Sequence, residues 1–341
     1  MKAIKRLGLP RIIIIVFFLL LWVTAGVKGL HIPGLLKDST VRIGMNLIMV
    51  LAMVPAIRSG IGLNFALPIG IICGILGGVM AIEFEVIGFA GFLYALVIAI
   101  PLSVAFGWIY GIMLNKIKGS EMLVSTYVGF SIVSLFCIAW IVLPFTSDEM
   151  RWPIGEGLRT VVSLESTFGH ILNDFLDFDI LPGYRFPTGL ILFSGFVCLI
   201  YYIFSQTRVG IAMKTVGDNP KFAASIGLNV DRYRILGTIL STVLGAVGMV
   251  VFAQSFGYIQ LYQAPLMMAF PAVAAILIGG ATAKKANISF VIIGTILFQG
   301  LLTISLPVAS SFFDGGNISE VIRMIVQNGI ILYALAQGGS E

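Results

Sequence analysis

Apolar residues along the chain are gathered into ten blocks, parted by polar breaks, at 12–27, 43–57, 63–82, 89–114, 122–143, 188–205, 235–256, 265–283, 288–307 and 318–336. A helix needs about 20 such residues to cross a bilayer, and most blocks approach or exceed that length. The pattern predicts an all-α polytopic membrane protein of about ten transmembrane helices, forming one domain over residues 1–341. The second block is short, and only Arg58-Ser59-Gly60 separates it from the third. A broken or re-entrant helix is expected over 43–82. The first block follows Lys2, Lys5, Arg6 and Arg11 but is long and lacks a clean small-x-small cleavage site, so it reads as an uncleaved first span.

Composition sharpens this picture. Of 341 residues, 58% are apolar and 11% charged, less than half the charge of an ordinary soluble domain. A soluble enzyme, a nucleic-acid-binding module and a disordered hub are excluded, because none can keep so much apolar surface out of water. The net charge of +5 is explained by its distribution. With the N-terminus placed inside, the inner segments hold fourteen Lys/Arg against four Asp/Glu, and the outer segments six against eleven. This positive-inside bias persists through ten alternating crossings and places both termini in the cytoplasm. Cys73, Cys137 and Cys198 fall inside apolar blocks, where a thiol behaves as a small hydrophobe. His31 and His170 have no partners at ligand spacing, so neither a metal nor a cofactor is expected.

Two connections are long. The outer one, 144–187, is acidic, and Leu164, Phe168, Ile171, Leu172, Phe175 and Phe178 recur in it at helical spacing. That predicts an amphipathic helix, either capping the bundle or offering a docking surface. The inner one, 206–234, is basic, and its centre reads Gly217-Asp218-Asn219-Pro220-Lys221-Phe222-Ala223-Ala224-Ser225-Ile226-Gly227. Asn219 suits an N-cap, Pro220 the first helical position and Gly227 the residue beyond the end. A short helix showing Phe222 and Ala side chains to the cytosol suits a rigid contact with another subunit, though a plain connector would need no more.

The stretch 217–227 resembles the cytoplasmic coupling loop of ABC importer permeases, specifically the ribose/simple-sugar and branched-chain amino acid permease family. Ser241 to Gly248, Ala274-Ala275 to Gly279-Gly280, Gly294-Thr295 and Val124-Ser125-Thr126 are similar to family segments too. The likeness covers most of the chain. Where sugar permeases usually carry an acidic segment before the third span, this chain has Ser59-Gly60-Ile61-Gly62-Leu63-Asn64, with no acid. That departure bears on the solute. The resemblance implies a bacterial inner-membrane subunit that partners ABC ATPase subunits, a second permease subunit (identical or related), an external solute-binding protein and the surrounding lipid. It also implies that Asp218, Asn219, Pro220, Lys221, Phe222, Ala223, Ala224 and Gly227 couple to the ATPase. The implied solute is a simple sugar, with nucleosides or branched-chain amino acids as alternatives.

Leu63-Asn64-Phe65-Ala66-Leu67-Pro68 also resembles Leu266-Met267-Met268-Ala269-Phe270-Pro271, each followed by a Gly pair. These open the third helices of two five-helix halves, and five being odd, the halves would be inverted. Apart from Glu320, which with Arg323 reads as a local pair at an outer end, no block contains Asp, Glu or His. A proton-coupled carrier is disfavoured on that ground. No Gly-Lys dipeptide occurs, so the chain has no P-loop and any ATP hydrolysis belongs to a partner. Uncharged polar groups in the spans offer a pathway lining, with Asn46, Asn64, Phe65, Thr126 and Gln299 as candidates. For each polar one taken singly, gluing helices together through interhelical hydrogen bonds is the favoured reading. The competing class is a stand-alone secondary carrier or channel.

Overall fold

The computed structural model describes residues 9–152, 158–312 and 316–338. Its long helices are α1 (Leu9–Val27), α2 (Ile32–Leu51), which continues past Ala52 as α3 (Met53–Arg58), α4 (Leu67–Glu83), α5 (Gly88–Lys116) and α6 (Glu121–Val142). A small strand β1 (Val161–Ser163), a single turn α7 (Ile171–Asp174) and the hairpin β2 (Phe178–Leu181) and β3 (Tyr184–Phe186) follow. Then come α8 (Thr188–Gln206), α9 (Arg208–Asp218), α10 (Pro220–Ser225), α11 (Val230–Phe256), β4 (Tyr258–Gln260), α12 (Ala264–Met267), α13 (Ala269–Gly279), α14 (Ile288–Ser310) and α15 (Gly316–Gly338). Among the described residues, six helices are long and apolar enough to cross a membrane, and three shorter apolar ones accompany them. The protein is a mostly helical, polytopic membrane protein.

The core forms around α11, which packs against α5, α4 and α2, while α14 joins α13, α2 and α1. Lipid is as apolar as leucine, so helices associate through close packing rather than hydrophobic burial. The α4–α11 seam shows how. A Cβ on Gly74 would lie 2.6 Å from the Ala246 carbonyl oxygen, and one on Gly70 would collide with the Thr242 carbonyl.

Two expectations change. The second block is not short: its helix begins at Ile32, taking Lys37, Asp38 and Arg42 into its first turns, with the His31 ring accepting from Gly34 N–H. Mean hydropathy dips there, although the backbone stays helical. The break falls after Arg58, where 59–66 is irregular but buried.

The expected amphipathic helix in 144–187 shrinks to the single turn α7. Leu164, Phe168 and Leu172 are buried, but from a strand end, a turn and a short helix, whereas Phe175 and Phe178 are exposed. Gln254 explains this: its carbonyl oxygens accept from the N–H groups of His170 (2.7 Å, backbone) and Leu172 (3.0 Å, side chain). With those bonds the connection becomes a lid on α11. β1 pairs antiparallel with β4, tying the same connection to the segment ahead of α12.

Candidate functional site

The elbow between α8 and α11 is built by three local caps. Thr207 Oγ1 accepts from Gly210 N–H (3.2 Å), Asn219 Oδ1 from Phe222 N–H (3.0 Å) and Asn229 Oδ1 from Arg232 N–H (3.0 Å). Gly227 ends α10 with φ +84°, in the left-handed region, and Leu228 N–H returns to the Ala223 carbonyl (3.0 Å). Sequence pattern had indicated α10 but not α9, whose Met213 and Val216 pack inward. Asp218, Asn219, Pro220, Lys221, Phe222, Ala224 and Gly227 are exposed, as is Ile226. Ala223 is different: it is fully buried. One face of α10 thus presents Phe222 and Ile226, while Ala223 seats the helix on the bundle.

Two further contacts tie the elbow to the bundle. At the first, Gly217, the next-to-last residue of α9, lies against the backbone of Arg58 and Gly60. A Cβ on Gly217 would collide with the Arg58 carbonyl, and one on Gly60 would lie 3.1 Å from Gly217 Cα. Gly60 has φ +79°, which a residue with a side chain adopts only under strain. Arg58 in turn donates from Nε to the Ala286 carbonyl (3.0 Å) and from its guanidinium to Asn287 Oδ1 (2.8 Å).

At the second, Arg234 in α11 pairs with Glu121 at the start of α6 (2.6 Å) and donates to Asn115 Oδ1 (3.0 Å). Both partners are largely buried. Lys118 and Asp231 add an exposed pair at 2.7 Å. Sequence reading missed this clamp, because 113 residues separate Arg234 from Glu121.

Of the expected lining residues, Asn64 is buried and makes three hydrogen bonds: it donates to Ser241 Oγ (2.9 Å) and accepts from Ala66 N–H (3.0 Å) and Tyr110 OH (3.2 Å). Asn46 donates to the Arg42 carbonyl and Thr126 to the Met122 carbonyl, each within its own helix. Gln299 is buried on α14. Phe65 stands elsewhere, 5.9 Å from Phe270, which lies 6.5 Å from Phe130 of α6. The aromatic cluster joins the segment 63–68 to the segment 266–271 and to α6.

Near the end of the bundle away from α10 lies a cavity of about 720 Å³, with Lys37, Asp38, Arg42, Asp174, Asp177 and Arg185 in its lining. Charges of both signs surround it. Glu320 lines it too, and the side chain of Arg323, its expected partner, lies outside the described residues. Sequence reading had placed these charges in separate loops.

Among known proteins, a nucleoside ABC transporter permease of Lactococcus lactis subsp. cremoris is 44% identical over 57 residues, 17% of this chain and 18% of the relative. A tyrosine transport system permease of Clostridioides difficile is 30% identical over 120 residues, 33% of this chain and 40% of the relative. An uncharacterised Mycoplasma pneumoniae protein is 27% identical over 177 residues, 48% of each chain. Each match thus spans less than half of the curated relative. No solved structure matches. Residues 35–335 match the family described as branched-chain amino acid transport system / permease component, and the chain belongs to that family.

Proposed function

We propose that the protein is the membrane permease subunit of an ABC importer, driven by a separate ATPase subunit that docks on α10. The observation that carries this reading is the elbow itself. A six-residue helix, capped at both ends, shows Phe222 (53% exposed) and Ile226 (54%) beyond the bundle while Ala223 is completely buried. An exposed aromatic anchor on a rigid support is what a partner's groove recognises. Through Gly217 and Arg234, movement of α10 reaches both the 59–66 break and α6.

On this reading the α10 end is cytoplasmic, ten segments cross the bacterial inner membrane, and two inverted five-helix halves make up the subunit. The segments ahead of the two matched stretches agree with inversion: 59–66 lies by the elbow, while β4 lies with the lid. A second permease subunit completes the path, and a solute-binding protein delivers solute to the charged cavity end. The relatives' names set nucleosides and tyrosine beside the simple sugar expected from the sequence.

The test is purification in gentle detergent from native membranes, with mass spectrometry of the companions, on the intact chain and on Phe222→Asp with Ile226→Asp. Ala223 is left alone, since a charge there would unseat the helix. A P-loop ATPase accompanies the intact chain and is lost from the double variant. No ATPase with a folded, membrane-inserted chain would return the protein to the class of stand-alone carriers or channels.

A further inference from the structure

Helix α15 packs on α14 and α13, with Ile330 and Ile331 against the core. Its other side carries Val321, Ile325, Asn328 and Leu332, all exposed. At 100° per residue these four fall within an arc of about 60°, one stripe spaced by four, three and four residues. Gly329 lies beside the stripe, and a Cβ there would meet nothing within 4 Å. The face is therefore open along its length.

Asn328 stands at its centre. The helix has 23 residues, a length of about 34 Å, and Asn328 lies about 18 Å from its start. That is the middle of a hydrocarbon core about 30 Å thick. Its amide has no hydrogen-bond partner among the described residues. Other span amides are provided for: Asn46 donates to the Arg42 carbonyl, Asn64 is bonded three times and Gln299 is buried. An amide offers two donors and an acceptor, and hydrocarbon answers none of them. At comparable depth α5 exposes Val97, Ile100 and Val104, and α8 exposes Leu192, Phe196 and Leu199, which lipid covers at no polar cost. Apolar side chains around one central amide are instead the make-up of a helix seam inside a membrane, where the chains supply packing and the amide a hydrogen bond.

We infer that this stripe is where a second copy of the same chain docks, α15 against α15, with the two Asn328 amides bonded to each other. Two copies inserted in the same direction carry residue 328 at the same depth. A two-fold axis along the membrane normal then brings like against like. Because an amide both donates and accepts, it satisfies its own counterpart. The inference rests on the permease reading, which calls for a second subunit but leaves open its identity and the face it uses.

The experiment is disulfide cross-linking in native membranes, in a chain with Cys73, Cys137 and Cys198 replaced and one cysteine added. Ile325→Cys and Leu332→Cys give a dimer of the chain on oxidation with copper phenanthroline. Ile330→Cys, on the inner side of α15, and Leu199→Cys on α8 do not. In lipid vesicles, donor- and acceptor-labelled chains show energy transfer that fades as lipid is added. Asn328→Leu makes it fade at about tenfold less lipid, the effect of losing interhelical hydrogen bonds, while Asn328→Gln stays near the unaltered chain. Equal cross-linking at Leu199, a product containing a different chain, or an Asn328→Leu variant that pairs as before would each overturn the inference. So would an ATPase that copurifies with the Ile325 and Leu332 variants while neither cross-links. If the unaltered chain brings down no ATPase, it is the permease reading that has failed.

Discussion

The side-chain amide of Asn64 holds three elements together: the break ahead of α4, α5 through Tyr110, and α11 through Ser241. An amide in an apolar setting needs such partners, so its presence in a membrane segment marks a joint before it marks a solute site. Replacing it by Ala leaves the Ala66 N–H and the two hydroxyls without it. Asn64→Ala should cost about 2–4 kcal/mol, given about 1–3 kcal/mol for each buried group left unpaired. The expected result is a thermal midpoint lower by several degrees in detergent, with Asn64→Asp lower still because it buries a charge. A midpoint unchanged in the Ala variant would show that the joint carries no load. Ala223 makes a related point at the elbow: of two adjacent alanines, one faces solvent and the other supports the helix. Composition alone does not separate them.

At the level of elements, α6 is the least buried of the long apolar helices, and its fixed points are correspondingly few. Gly129 seats it on the break, and Glu121 is clamped by Arg234. Removing one partner of a buried ion pair leaves the other uncompensated, typically a loss of about 3–5 kcal/mol. Arg234→Glu should therefore destabilise the protein sharply, and Glu121→Arg likewise. The exchanged pair, Arg234→Glu with Glu121→Arg, should recover part of the loss, as read by thermal unfolding in a double-mutant cycle. Strict additivity of the two single losses would mean that the charges do not interact. In the permease reading, an importer assembled on the exchanged chain whose ATPase subunit still hydrolyses ATP but which moves less solute per ATP would identify the clamp as part of the transmission from α10 to α6. The caps of α9, α10 and α11 belong to the same scale. Each acts three residues away, so Asn219 and Pro220 were readable in advance. The clamp was not, since neither charge has a local signature.

For the whole molecule, the prediction concerns sidedness. In a chain with Cys73, Cys137 and Cys198 replaced, Lys221→Cys on α10 should react with a membrane-impermeant maleimide only in inverted vesicles. Ile180→Cys on the exposed hairpin should react only from the opposite side, in right-side-out vesicles. Labelling of both from one side would contradict the inverted arrangement and the charge-derived orientation together. The positions of the helices agree closely with the apolar blocks, because hydropathy summed over a span is a property of the segment itself. The differences lie where a segment's neighbours decide. The lid over 164–175 took its shape from Gln254, and the helix of the second block runs on through charged residues that open onto a cavity.

What the chain determined by itself is therefore local: the apolar blocks, the capped helix α10, the lack of a P-loop and the membrane class they jointly impose. Only the tertiary structure decided that Asn64 meets Ser241 across 177 residues, that Arg234 meets Glu121, and that Asn328 is left facing outward. The reason is physical. In a soluble helix the apolar stripe reveals the buried face. In a membrane helix both the protein-facing and the lipid-facing sides are apolar, so the pattern does not tell which side a residue faces until the helices are packed.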